Sequence, residues 1–158
     1  MDITQATEQD FEAVSELFRG LDAHHARLLP ERVKAAAELP RSRAEFIAYI
    51  TGDEKVMLLA KDTDAVIGFA NLAIYEIAET ASRVGRKFAH LDNLYVVPEY
   101  RRAGVATTLI RESKHWCAQR GVTKMELQVY NANNTALALY ESLGFQPYLT
   151  RMELETGA

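Results

Sequence analysis

Cysteine is nearly absent from this chain of 158 residues, long apolar runs are missing, and there is no basic excess. The single cysteine, Cys117, cannot form an internal disulfide, and its place in an apolar helical stripe predicts a buried structural thiol. No stretch approaches the roughly 20 apolar residues of a membrane span. The opening MDITQATEQDF is acidic and amphipathic, unlike an export signal, so the expected location is the cytoplasm, with no membrane partner. Eighteen Lys and Arg against 22 Asp and Glu leave a net charge of −4, which argues against a nucleic-acid partner, because that would call for a basic face. Repeats, low-complexity tracts and linkers are missing as well. What remains, 48% hydrophobic and 25% charged residues, is the composition of one globular domain over residues 1–158 with a full core.

Periodicity divides the chain into elements. Asp2 to Ala6 reads as a first strand, after which Thr7 caps a helix with Asp10 at its third position and Phe11, Val14, Leu17 and Phe18 on one face. Gly20 is expected to stop that helix. Pro30 to Leu39 has helical character, and Ser42 with Glu45 forms a capping box for a helix that carries Phe46, Ile47 and Ile50 and ends at Gly52. Lys55 to Ala60 and Ala65 to Ile77 flank the turn Lys61-Asp62-Thr63-Asp64 and predict an antiparallel hairpin, which Phe88 to Val97 extends. A helix from Gly104 to Arg120 then leads into a strand over Thr123 to Tyr130, and a helical crossover implies parallel pairing. A helix from Asn133 to Leu143 and a closing strand from Phe145 to Leu154 complete the order βαα-βββ-αβ-αβ, a mixed α/β layer with helices on a central sheet.

Two segments carry chemistry. In LYVVPEYRRAGVA, Leu94 to Ala106, an apolar strand breaks at Pro98 into a basic turn and then a helix that opens on small residues at Gly104 and Ala106. First-turn N–H groups lack intrahelical partners and carry the positive end of the helix dipole, so an anion is favoured there when no side chain blocks it. The backbone of Arg102, Ala103, Gly104, Val105, Ala106 and Thr107 forms such a cradle, suited to a pyrophosphate, with the Thr107 hydroxyl as a further donor. A Walker A loop is excluded because no Gly-Lys-Ser/Thr follows, and the dinucleotide fingerprint lacks its other glycines. The second segment, NNTALALYESLGF, sets a polar cap at Asn133 and a tyrosine, Tyr140, one helix length away.

In this order and spacing the two segments resemble the GNAT superfamily of acyl-CoA-dependent N-acetyltransferases. Its Arg/Gln-x-x-Gly-x-Gly/Ala motif is matched by Arg101, Gly104 and Ala106, and its Asn-x-x-Ala-x-x-Leu-Tyr motif by Asn133, Ala136, Leu139 and Tyr140. The resemblance implies acetyl-CoA as cosubstrate and a strand ahead of the cradle that bulges and splays from its parallel neighbour. Pantetheine amides would pair with backbone groups of Leu94, Tyr95 and Val96 there, and the Val96 N–H would donate to the thioester oxygen. It also implies a cofactor contact from Asn133, compatible with a capping role, and a Tyr140 hydroxyl near the departing sulfur.

An alkyl amine must lose a proton before it attacks, so a base or a water path is required. His90 and Asp92 lie two apart in a strand and share a face, while Glu126 falls on the neighbouring strand. Asp92 matches the acidic position that similar amine acetyltransferases carry and is the preferred base, with Glu126 second. His24, His25 and His115 do not read as metal ligands, and no metal is expected. The acceptor, a small-molecule or peptide amine, would be walled by residues 20–52, where His24, His25, Arg27, Glu31, Arg32 and Tyr49 select no one substrate. Similar proteins commonly pair as homodimers, though no stripe here fixes an interface. The rival expectation is an acyl-CoA-binding sensor or partner subunit without catalysis.

Overall fold

In a computed structural model, residues 1–34 and 41–157 are described, and they group into two compact units, residues 1–128 and residues 129–158. The first unit is built on a five-stranded sheet of order β1-β2-β3-β4-β5, with β1 Asp2–Gln5, β2 Lys55–Asp62, β3 Ala65–Ile77, β4 Arg86–Val96 and β5 Met125–Leu127. Pairing is antiparallel from β1 to β4 and parallel between β4 and β5, as the helical crossover requires. Near-continuous apolar sequence in β2 and β3 follows from their central position, because a strand covered on both faces has no solvent side to alternate toward.

Helix α1 spans Phe11–Leu28 and α2 spans Arg43–Ile50. Phe11, Val14, Leu17, Phe18 and Leu21 of α1 and Phe46 of α2 share a core with Met57, Leu59, Phe69 and Tyr95 of the sheet. Phe18 and Phe69 meet at 4.6 Å between centroids, a tilted contact adding about 1 kcal/mol to their burial. Entry to α1 is fixed by Asp10, whose carboxylate accepts from the Thr7 N–H at 2.8 Å and hydroxyl at 2.9 Å and from Lys61 Nζ at 2.7 Å. Helix α3, Val105–Gln119, crosses β2, β3 and β4 and buries Leu109, Ile110, Trp116 and Cys117. Among the described residues, no helix is long and apolar enough to cross a membrane.

Several boundaries depart from expectation. Gly20 does not stop α1, which continues to Leu28. The glycine is there for clearance, since a Cβ on it would stand 2.5 Å from the Tyr95 hydroxyl oxygen. β2 runs on to Asp62, so the turn contracts to Thr63 and Asp64, with Thr63 at φ 55°. β4 starts earlier, at Arg86, and β5 keeps only Met125–Leu127 of the expected Thr123 to Tyr130. Residues 30–32 form a turn, and the remainder of the helical pattern over Pro30 to Leu39, from residue 35 on, lies outside the described residues.

The second unit, taken by itself, contains one helix, α4, Asn134–Ser142. The closing strand expected over Phe145 to Leu154 is not formed, and residues 145–157 carry no regular secondary structure. Among the described residues of that unit there is no strand to receive a ladder, and Pro147 removes one of the donors. The described order is therefore βαα-βββ-αβ-α.

Candidate active site

β4 changes partners halfway along its length. Its first part pairs with β5 only over Ala89, His90 and Leu91, opposite Met125, Glu126 and Leu127. On the β3 side the register shifts, because Asn71 faces Asn93 while Leu72 faces Leu91, so Asp92 is an extra residue that the ladder does not pair. Beyond that bulge β4 stays on β3 and has no β5 residue beside it within the first unit. The Val97 N–H donates to the Ile67 carbonyl at 3.0 Å, and strand amides alternate in direction. Tyr95 therefore turns its backbone toward β3, whereas Leu94 and Val96 turn theirs to the open edge. Arg101 agrees with that direction: its Nε donates to the Val96 carbonyl at 3.0 Å.

Of the three residues expected along pantetheine, Leu94 and Val96 thus offer free-edge amides, and Tyr95 serves the core. Its ring lies beside Gly20 and under the Arg101 guanidinium at 5.5 Å. Arg101 accordingly pins the strand end to the turn.

The turn leads into α3 by two left-handed residues, Arg102 at φ 65° and Gly104 at φ 81°. A non-glycine residue in that region costs about 1–2 kcal/mol, a strain consistent with a functional turn. The first helical hydrogen bond is from the Thr108 N–H to the Gly104 carbonyl at 3.0 Å, which leaves the N–H groups of Val105, Ala106 and Thr107 without intrahelical partners. Apart from its chain neighbours, nothing lies within 4 Å of where a Gly104 Cβ would sit. The cradle is therefore bare backbone facing open space, flanked by the exposed side chains of Arg102, Ala103 and Thr107.

Around the bulge the acidic residues are already engaged. Asp92 accepts from the Tyr49 hydroxyl at 2.6 Å and meets His90 Nδ1 at 2.9 Å. Burial, and then the bond to Asp92, push the Tyr49 phenol well above its ordinary value, so it remains a donor. Glu126 is held by Arg86 in an ion pair. Asp92 and Asn93 both line a cavity of about 290 Å³ between the sheet and helices α1 and α2. Strict alternation would send neighbouring residues to opposite faces, but a bulge lets both face one way.

Sequence reasoning missed Asn71, which is 3% exposed on the same cavity with no partner for its Oδ1. Its signal was there: it is the lone amide in the otherwise apolar AVIGFANLAIY of β3. His24 and His25 sit on α1 with ring centroids 6.0 Å apart. Burial, followed by the Arg101 charge, lowers the His24 pKa, and burial lowers that of His25, so both favour the neutral form. Among the described residues, no group of three His, Cys, Asp or Glu is placed to hold a metal.

In the second unit, Asn133 caps α4, its Oδ1 accepting from the Ala136 N–H at 3.2 Å. Tyr140 packs edge-on against Phe145 at 5.6 Å, and burial raises its phenol to about 12.

β4 thus carries a bulge and runs on, through the turn, into a helix with no side-chain cap. Residues 21–145 match the model of the acetyltransferase (GNAT) family. An uncharacterized N-acetyltransferase of Bacillus subtilis is 30% identical over 147 residues, 92% of this chain and 90% of that one. The BH1408 protein of Bacillus halodurans superposes with a TM-score of 0.92 at 24% identity, over 98% of this chain and 99% of that one. An aminoglycoside N-acetyltransferase crystallised with CoA superposes with a TM-score of 0.74 at 19% identity, over 99% of this chain and 100% of that one. The chain belongs to the GNAT family and is an acyltransferase of the N-acetyltransferase class.

Proposed function

We propose that this protein moves the acetyl group of acetyl-CoA to a primary amine by direct attack in a ternary complex, with no covalent enzyme intermediate. The observation that carries the reading is the free β4 edge at Leu94 and Val96 running into the unpartnered N–H groups of α3. CoA offers complementary groups in the same order, thioester, pantetheine amides and diphosphate. Backbone from Arg102 to Thr107 holds the diphosphate, and Leu94 and Val96 pair with the arm, with Tyr95 between them turned to β3. The Val96 N–H, with Leu94 two residues nearer the bulge, donates to the thioester oxygen as it gathers charge.

Asp92 takes up the proton of the attacking amine, directly or through water, oriented by Tyr49 and His90. Glu126, tied to Arg86, is the less available base. Tyr140 donates to the departing sulfur, and Asn133 adds a cofactor contact beside its capping role. A phenol near 12 lies about 3.5 units above a thiol of about 8.5. Full transfer of its proton to a CoA thiolate is thus uphill by about 5 kcal/mol. Tyr140 acts as a hydrogen-bond donor, and the sulfur takes its proton from solvent. One domain over residues 1–158, acting in the cytoplasm, completes the proposal.

The test is calorimetric titration with acetyl-CoA, followed by thiol release with a panel of primary amines. Saturable uptake with amine-dependent release is expected. Uptake without release from any amine identifies an acyl-CoA sensor instead, and absence of uptake removes the reading.

A further inference from the structure

The cavity of about 290 Å³ beside Asp92 is small, and four rings, Phe11, Phe18, Phe46 and Tyr49, line it together with Asn71 and Asp92. Core-facing rings rarely leave such a space, and a buried amide rarely leaves its carbonyl oxygen unmatched. Asn71 does so here. Its side chain interacts with the Tyr49 phenol, while its Oδ1 is buried with no donor. A ligand that brings an N–H into the cavity would satisfy it.

Charge limits what that ligand can be. Two carboxylates line the space, Asp92 and Glu45. Glu45 accepts from the Ser42 N–H and hydroxyl, both at 2.8 Å, as the cap of α2. Arg41 stands on the same wall, its guanidinium 4.6 Å above the Phe18 ring and 3.9 Å from Asp22. A polycation would need several open carboxylates and would meet that guanidinium. Each oxygen of Asp92 makes one bond, to Tyr49 or to His90, and a carboxylate has about four acceptor sites, so it can still receive one ammonium group.

We propose that this cavity is the acceptor subsite and that its substrate is a compact primary monoamine on an aromatic body, such as a phenethylamine. The ring would lie among the phenylalanines, and the nitrogen would donate to Asp92 and to Asn71 Oδ1. Asn71 is then a specificity-determining residue that the transfer chemistry itself does not require. The inference rests on the acetyltransferase reading above and narrows its acceptor.

The experiment measures kcat/KM for phenethylamine, tyramine, spermidine and kanamycin with acetyl-CoA, alongside calorimetric acetyl-CoA affinity, in the wild type and in Asn71→Leu. Leucine keeps the branched outline of asparagine, with methyl groups in place of its polar atoms, and removes the orphaned acceptor; a melting curve close to that of the wild type shows that the variant folds. Expected are a preference of at least tenfold for the aromatic monoamines, a tenfold or greater rise in their KM in Asn71→Leu, and unchanged acetyl-CoA affinity. A thermal shift with phenethylamine alone, present in the wild type and lost in the variant, gives a readout independent of turnover. Preference for spermidine or kanamycin, or an unmoved KM in the variant, overturns the subsite while the acetyltransferase reading stands. If acetyl-CoA itself fails to bind, both fall.

Discussion

Gly104 is the residue at which backbone strain and ligand access can be separated. Alanine there would hold φ near 81°, costing about 1–2 kcal/mol of stability. Chain neighbours aside, no protein atom lies within 4 Å of the new methyl group, so no clash adds to that cost. At this chain length the melting temperature should fall by about 2–8 °C. Gly121, at the far end of the same helix, has φ 68° and equally open surroundings, so Gly121→Ala carries a similar strain away from the cradle. Only Gly104→Ala adds a methyl group at the helix end proposed to hold the diphosphate. Losing one charge-assisted hydrogen bond costs about 1.5–3 kcal/mol, or roughly 10- to 150-fold in Kd. Calorimetric titration with acetyl-CoA should therefore show that loss in Gly104→Ala and none in Gly121→Ala, with similar melting curves for the two. Equal affinities in both variants would refute a diphosphate held at this helix end.

Three further outcomes follow from other parts of the molecule. Tyr140→Phe should lower kcat at least tenfold, about 1.4 kcal/mol of transition-state stabilisation, with acetyl-CoA affinity retained. Because burial holds its phenol near 12, the wild-type kcat profile should show no alkaline limb from this residue between pH 7 and 10, and unchanged turnover in the variant would remove its role. Gly20→Ala should destabilise by about 1–3 kcal/mol through overpacking, since the methyl group would displace the Tyr95 ring; an unchanged urea midpoint would contradict that clearance. Burial lifts the Cys117 thiol to about 11, so its thiolate fraction at pH 8 is about one in a thousand. Ellman's reagent should react slowly with native protein and take up one equivalent after denaturation.

The parts of the site legible in the sequence are those made of backbone. Pro98, Gly104 and the apolar run before them announce a strand, a break and an unblocked helix start through steric rules that act locally, and the structure has all three. The bulge was readable only through family resemblance, because period-2 alternation assigns Asp92 and Asn93 to opposite faces and the extra residue emerges from the register with β3. Gly20 misled for a similar reason. A glycine in a helix looks like a stop until the tertiary neighbour it makes room for, Tyr95, is known. The tail from Phe145 alternates well enough to suggest a strand, yet alternation specifies a face and supplies no partner.

Asp92 is the one residue of its strand that the hydrogen-bonded framework does not count. Leu91 and Asn93 pair with the adjacent residues Leu72 and Asn71 on either side of it, so the ladder places no partner opposite this position, and what holds its side chain is Tyr49 and His90. Its side chain can be exchanged without breaking a rung of the sheet. Evolution can therefore revise the acid at the mouth of this cavity with the ladder left intact, and an engineer has a natural first position to vary.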